Sequence, residues 1–322
     1  MLAGGTGSTK LVRGLALVLD QVQGDKTLTI ISNVGDNIWL HGLYVCPDID
    51  TVIYGLAGML DEKQGWGIKD DSFSFLGQLE ILGAEAWFKL GDKDLATHVL
   101  RTAMMRQGNK LSTITEWMRK KYNVSAKIIP STDDNVITKI VSRKNRCNLN
   151  RSTKNNGKTI MHLQEFWVKH KGEPEVFDIR YFGARKARAN RSAIRAIRTS
   201  ELIVIAPANP ITSIGPIIAV PALRKELANV RKKVIAISPI IAESAITGPA
   251  IKYMQALNIE SSPFGVAKYY SDFVGKFVIS TSDSHYSEKI SRLGMEVLHT
   301  DILMKNIEDE KRLATFLIEK TK

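Results

Sequence analysis

A glycine-rich turn, Gly4-Gly5-Thr6-Gly7, stands between an apolar start and an amphipathic helix, and it narrows the fold more than any other feature. Residues 1–3 read as the end of a buried strand. The helix runs from about Thr9 to Val22, with Leu11, Leu15, Val18 and Val22 on one face. A β-branched run, Thr27–Ile31, follows and stops at the polar turn Asn33-Val34-Gly35-Asp36-Asn37. Strand, turn, helix and strand in this order open a doubly wound parallel sheet. The turn lacks both GxxxxGK[ST] and GxGxxG, so neither an ATPase nor a nicotinamide enzyme follows from it. It still puts backbone N–H groups and a helix N-terminus at the carboxyl end of the first strand, where anions bind. A plain tight turn is the alternative.

The rest of the chain divides by texture. Helices are expected at Asp50–Leu60, Phe73–Leu82, Asp94–Arg106 and Ser112–Tyr122, the last with Ser112 as N-cap. Strand-like segments follow at Ala126–Ile129, Val136–Val141, Thr159–Met161 and Glu175–Tyr181, and suggest a smaller antiparallel part. From Glu201 the parallel pattern returns with Leu202–Ala206 and Val234–Ser238, apolar runs that end in proline-marked loops. Phe277–Ser280 and Glu296–His299 are two later strands, and a helix spans Asn306–Glu319. The expectation is one α/β domain over 1–322. Its core takes about 1–60 and 200–322, and a helical and β insertion takes about 61–199.

A net charge of +12 invites a nucleic-acid reading. Much of the excess lies in Arg143–Lys158 and in the run Arg185, Lys186, Arg188, Arg191, Arg195 and Arg198. Neither stretch interleaves aromatics as a single-strand-binding surface does, and an anionic phosphorylated substrate explains the charge equally well. No nucleic-acid partner is expected. Nor is a membrane one, since no apolar run spans a bilayer and no signal-peptide layout opens the chain. Cys46 and Cys147 lie far apart without metal-ligand spacing, which fits a reducing, cytoplasmic setting.

Four tight aspartate pairs carry the chemistry: Asp48/Asp50, Asp70/Asp71, Asp92/Asp94 and Asp133/Asp134. Crowded carboxylates repel, and a fold tolerates them best where a cation or a proton sits between them. Asp48 and Asp50 open an apolar helix behind Pro47, so either can serve Mg²⁺, which takes one or two carboxylates along with phosphate oxygens. Helix capping is the bland reading of Asp48. Asp94 and His98 are four apart on one helix face with Arg101 three further on, placing His98, Arg101 and Lys89 near phosphate oxygens. A surface i,i+4 pair is the alternative. Asn209-Pro210-Ile211-Thr212-Ser213 and Ser238-Pro239 close two strands at the sheet's carboxyl edge, the usual ligand crevice.

Nine of these segments, in order, resemble the 2-phospho-L-lactate transferase family (CofD). They include LAGGTGSTKLVRGL (Leu2–Leu15), NVGDNIWLHGL (Asn33–Leu43), PDIDTVIYGLAG (Pro47–Gly58), WFKLGDKDLATH (Trp87–His98) and NPITSIGPI (Asn209–Ile217). The resemblance implies a Rossmann-like, mostly parallel sheet flanked by helices, and Mg²⁺ dependence. It implies transfer of a phospholactyl or phosphoenolpyruvyl-type group from a guanosine diphosphate-linked donor to the deazaflavin Fo, releasing GMP. Carried onto this chain, it puts Asp50, Lys89, Asp36 and His98 near Fo, with Asp50 catalytic and Asp48 and Asp50 at the metal. It puts Gly4, Gly5, Thr6, Gly7, Lys10, Asn209, Thr212, Ser213 and Ser238 near the donor. Asp50→Asn is expected to abolish turnover with the fold intact. Asn37 stands where many relatives carry a second Asp. A homodimer is the default for such an enzyme. The rival reading is a nucleotide-sugar-binding regulator that shares the glycine opening; the PDIDT and GDKDLATH stretches favour the transferase.

Overall fold

The structure, a computed structural model, describes residues 1–21, 27–143, 157–242, 244–246 and 248–320. Most of the basic stretch 143–158 therefore lies outside the described residues, as do Cys147 and Val22. In chain order, β1 (Leu2–Ala3) passes through the glycine turn into α1 (Thr6–Gln21), and β2 (Thr29–Ser32) follows. A hairpin, β3 (Ile38–Leu40) and β4 (Leu43–Val45), precedes α2 (Pro47–Leu56), α3 (Ser74–Ile81), α4 (Asp92–Arg106) and α5 (Leu111–Lys121). Next come β5 (Lys127–Pro130), β6 (Ile137–Arg143), β7 (Lys158–His162), β8 (Val176–Phe182) and α6 (Arg191–Thr199). The last part holds β9 (Ile203–Ile205), α7 (Gly215–Ile218), α8 (Pro221–Asn229), β10 (Val234–Ile237) and the tiny hairpin β11 (Ile240–Ile241) and β12 (Ser244–Ala245). It ends with α9 (Ala250–Ala256), α10 (Pro263–Tyr269), β13 (Lys276–Ser280), α11 (Ser287–Ser291), β14 (Glu296–Thr300) and α12 (Ile307–Glu319).

Among the described residues, seven strands form a parallel sheet in the order β14-β13-β10-β9-β1-β2-β5. The central strands are apolar throughout: every residue of β9 and β10 is buried, as a parallel strand covered on both faces requires. From β1 the chain moves outward to β2 and β5, then returns to β9 on the other side and moves outward again. The order thus reverses between β1 and β9. Loops leaving those two strands diverge, and a crevice opens at their carboxyl ends.

Several boundaries differ from the sequence reading for identifiable reasons. Helix α2 begins at Pro47 rather than Asp50, because a proline in the first turn needs no hydrogen-bonded N–H. Strand β5 lies inside the stretch 61–199 yet forms an edge of the main sheet, so the core reaches into the expected insertion. The hairpin β3–β4 was not expected; its two-residue turn, His41-Gly42, has both residues left-handed (φ 50° and 76°), as a type I′ turn needs. Beside the core, β7, β6 and β8 make the small antiparallel sheet that the sequence suggested.

Helix α12 locks onto α1. Arg13 Nε and Nη2 donate to the two carboxylate oxygens of the fully buried Glu310 at 2.7 and 2.6 Å. A Cβ at Gly14 would lie 2.4 Å from the Glu310 carbonyl oxygen, so only glycine lets the helices approach this closely. Gly14→Ala, which in an exposed helix would stabilise by about 1 kcal/mol, is expected here to destabilise by about 1–3 kcal/mol. Denaturant unfolding of the variant checks it, and a gain in stability would show that α12 does not sit on α1.

Candidate active site

Three chain segments meet at the crevice around the backbone of Gly4. A Cβ there would lie 2.8–2.9 Å from Asp48 Oδ2, Asn33 Cβ and the Ser213 carbonyl oxygen. Gly5 is left-handed (φ 66°), and the buried Ser8 hydroxyl accepts from Gly4 N–H (2.9 Å) while donating to Gly4 C=O (2.8 Å). The turn is held open in this way at the start of the sixteen-residue α1, whose own first turn carries no acidic residue. On the facing side the Asn209 side chain accepts from Ile211 N–H and Thr212 N–H (3.0 and 3.1 Å), an Asx turn that presents Thr212 and Ser213. Tyr181 steadies this loop from β8, donating to Ile211 C=O at 2.6 Å.

The crevice continues into a cavity of about 760 Å³. Of the residues expected near the donor, Gly5, Thr6, Gly7, Asn209, Thr212 and Ser213 line it. Gly4, Lys10 and Ser238 do not. The Lys10 ammonium donates to Met304 C=O (2.7 Å), and the Ser238 hydroxyl donates to Ile240 C=O (2.8 Å) within the turn after β10. Asp36, Asp48, Asp50, Lys89 and His98 all border the cavity.

Asp48 and Asp50 part company because two residues along a helix is a rotation of about 200°. Asp48 faces the glycine turn and its partner is Asp36, not Asp50. The side-chain amide of Asn33 is directed at Asp48 Oδ2 (2.8 Å), Asp36 Oδ1 (3.0 Å) and Thr212 C=O (3.2 Å). Burial pushes the Asp48 carboxyl up to about 6, against the hydrogen bonds from Asn33 and Gly5. Asp36 is pushed well above the usual carboxylate range by burial and by the neighbouring charge of Asp48. Two buried carboxylates flanking one amide are a set of hard oxygen donors whose repulsion a divalent cation would relieve. The expected Asp48/Asp50 metal pair is thus divided.

Asp50 faces α4 instead. Both of its oxygens are taken by Arg101: Oδ2 accepts from Nη1 at 3.0 Å, and Oδ1 accepts from Nη2. Arg101 is 1% exposed and does not reach the cavity, so it supports Asp50 where the sequence placed it on phosphate oxygens. His98 lies between two carboxylates, with Nε2 3.3 Å from Asp94 Oδ2 and Nδ1 3.7 Å from Asp50 Oδ2. Tyr54 OH donates to Asp94 Oδ1 at 2.6 Å. Burial raises the Asp50 carboxyl, and the Arg101 and His98 charges oppose it. Burial also acts on Asp94, but the His98 and Tyr54 hydrogen bonds outweigh it and hold that carboxyl below its usual value. Ligand atoms of Asp50, Asp94 and His98 lie within 4.8 Å of one another, close enough for a metal. The guanidinium of Arg101 already supplies that cluster with its cation.

Four of the remaining paired aspartates have structural work. Asp71 accepts from Lys93 N–H and Asp94 N–H at the start of α4 (2.8 and 3.1 Å). Asp92 accepts in return from Ser74 N–H and Phe75 N–H at the start of α3 (both 3.0 Å). Asp133 takes Ser112 N–H (2.7 Å) at the start of α5, so Ser112 is capped rather than capping. Asp134 accepts from Arg188 N–H (2.7 Å). Asn33, Tyr54 and Arg101 are the site residues whose roles the sequence did not reveal; Asn33, next after a predicted strand at the sheet's carboxyl edge, offered the one usable signal.

Residues 1–316 match the family described as 2-phospho-L-lactate transferase CofD. The chain belongs to this family. Similar CofD relatives include the 2-phospho-L-lactate transferases of Methanocaldococcus jannaschii (38% identical, covering 99% of this chain and 96% of that one) and Methanosarcina mazei (37%, 99% of each). The phosphoenolpyruvate transferase of Streptomyces griseus is 35% identical over 99% of this chain and 96% of its own. Among solved structures, a member of the UPF0052 family from Bacillus halodurans superposes with a TM-score of 0.60 at 16% identity, covering 98% of this chain and 97% of that one. That last likeness shows a shared fold.

The raised Asp48 carboxyl has a thermodynamic consequence in this CofD-family chain. The folded state holds its proton more tightly than the unfolded one, so stability falls as pH rises from the ordinary 3.8 towards about 6. Asp48→Asn, without divalent cation, is expected to be more stable than the parent at pH 7 by up to about 3 kcal/mol. The advantage should shrink to nothing near pH 4. Denaturant melts across that range check it; a difference independent of pH would mean that Asp48 is not perturbed.

Proposed function

We propose that this chain transfers a phospholactyl or phosphoenolpyruvyl-type group from a guanosine diphosphate-linked donor, such as lactyl-2-diphospho-5′-guanosine, to the deazaflavin Fo, releasing GMP. The observation that carries the reading is the division of one cavity into two chemically distinct halves. One half is an anion cradle of turn N–H groups, the Asn209–Ser213 loop and the Asp36/Asp48 pair. The other presents Asp50 and Lys89 beside Trp87 and Phe88, apolar and flat enough for a tricyclic ring. Relatives named as 2-phospho-L-lactate and phosphoenolpyruvate transferases support the reaction class.

The all-oxygen pair Asp36 and Asp48 fits a hard cation such as Mg²⁺, and Asp48 would hold it with Asp36. When bound, the ion supplies positive charge against the diphosphate of the donor. The chain's own groups do the rest. Turn N–H groups and the Thr212 and Ser213 segment fix the diphosphate, which sets the phosphorus in place for in-line attack. Asp50 accepts a hydrogen bond from the terminal ribityl hydroxyl and takes its proton as the new O–P bond forms and the bond to GMP breaks. Phosphoryl transfer through a loose transition state places little charge on the attacking oxygen until late, so a weakly basic, well-oriented carboxylate suffices. Arg101 supplies that orientation by gripping both oxygens from behind.

Two outcomes are expected. Incubation with Fo, Mg²⁺ and the guanosine-linked donors should release GMP in step with Fo consumption; no GMP with any donor would favour a binding protein. Asp50→Asn should lose at least about a hundredfold in turnover. The structure adds a cost absent from the sequence reading: the variant leaves Arg101 buried without its partner, destabilising by about 3–5 kcal/mol. Asp50→Asn combined with Arg101→Met should recover stability but not activity. Recovery of both would remove Asp50 from the reaction.

A further inference from the structure

Among the described residues, the lysines that line the cavity are Lys89 and Lys171, and neither forms an ion pair. Lys89 belongs to the Asp50 half. Lys171 follows the π-helical turn Glu165–Lys169, which is tied to the 84–88 segment by the Lys169–Glu85 ion pair (2.8 Å). Its backbone is left-handed (φ 52°), and so is that of Gly172 (φ 64°). Position 172 must be glycine, because a Cβ would meet the Trp167 ring at 2.8 Å. Position 171 has no such need. Glycine or asparagine would adopt that conformation without the roughly 1–2 kcal/mol that a residue with an ordinary side chain gives up there. The chain nevertheless keeps a long cationic side chain at this point.

The surrounding structure holds the strained pair in place. Gly172 N–H donates to Phe166 C=O at 2.9 Å, and the Lys252 ammonium donates to the carbonyls of Gly172 and Glu173. Lys171 is exposed, and Trp167, 44% exposed, and Val168 line the cavity beside it, so its charge is free to meet an anion entering there. Strain retained around an unpaired charge at a cavity wall marks a ligand contact.

The donor supplies a matching anion. Its diphosphate faces the glycine turn and the Asn209–Ser213 loop, which leaves one fixed charge unaccounted for: the carboxylate of the three-carbon acid. Phospholactate and phosphoenolpyruvate share that carboxylate, on the carbon that bears the ester oxygen. We propose that Lys171 binds the carboxylate of the donor's three-carbon acid, beside the Trp167 ring. The assignment rests on the transferase reading above and identifies the part of the donor that Lys171 recognises.

Equilibrium binding to the full chain with Mg²⁺ tests it without requiring turnover. The ligands are lactyl-2-diphospho-5′-guanosine, its methyl ester (which removes the charge), GDP and Fo. The parent is expected to bind the acid about tenfold more tightly than the ester. Lys171→Met should erase that difference and leave GDP and Fo binding within about twofold. Lys171→Arg should retain it, and Lys171→Gly should lose it with no loss of thermal stability. Equal affinity of the parent for acid and ester would overturn the proposal. So would an acid–ester difference that survives in Lys171→Met, or a loss that falls on GDP or Fo instead. If the parent discriminates acid from ester yet releases no GMP with Fo, the carboxylate contact stands and the transferase reading fails.

Discussion

Everything at the catalytic end of the sheet depends on how closely three chain segments approach the backbone of Gly4. Asn33 comes from the end of β2, Asp48 from the start of α2 and Ser213 from the loop after β9, and all three fill the space a side chain would need. These segments are remote in sequence. The reversal of strand order between β1 and β9 brings them to one point, and the Asn33 amide then ties two acids and a carbonyl together. The fold therefore creates a concentration of negative charge where it also opens a cradle for an anion. A divalent cation, as proposed above, would mediate between the two.

The second concentration of charge is solved differently. Asp50 and Asp94 are buried, but Arg101, His98 and Tyr54 surround them, and the negative charge is matched from within. A buried arginine held on both carboxylate oxygens is a weak stabiliser in net terms, because both ions lose hydration. Its value lies in direction: the carboxylate cannot rotate away from the cavity. The two acidic positions on α2 thus differ, Asp48 beside Asp36 at the glycine turn and Asp50 closed around the internal cation Arg101.

The parallel sheet was legible because its signals are local. Apolar runs at Thr29–Ser32, Ile203–Ile205 and Val234–Ile237 end in polar loops, and the glycine turn announces the first crossover. The β3–β4 hairpin was missed because three-residue strands carry almost no periodicity, and a His-Gly turn is an uncommon way to write a left-handed pair. At the site, residue types in motifs were readable but their facing was not. Asp48 and Asp50 look like one pair in the sequence, and helix geometry separates them. Arg101 looks like a surface cation three residues beyond His98, yet it turns inward to Asp50. Asp71, Asp92 and Asp133 look like ligands, and each is absorbed by backbone N–H groups from a neighbouring helix. Those partners lie twenty or so residues away, beyond the reach of any local pattern.

The exchange of caps between Asp71 and Asp92 joins two helices that pack little against each other. Asp71 completes the first turn of α4, and Asp92 completes that of α3. Neither end can fray without exposing unpaired N–H groups on the other, so the two helices open as one cooperative unit. Since α4 carries His98 and Arg101, and the segment between the helices carries Trp87, Phe88 and Lys89, that stretch of the cavity wall and the support for Asp50 share one local unfolding unit. Any loosening of that wall would draw on the same local stability that keeps the carboxylate aligned.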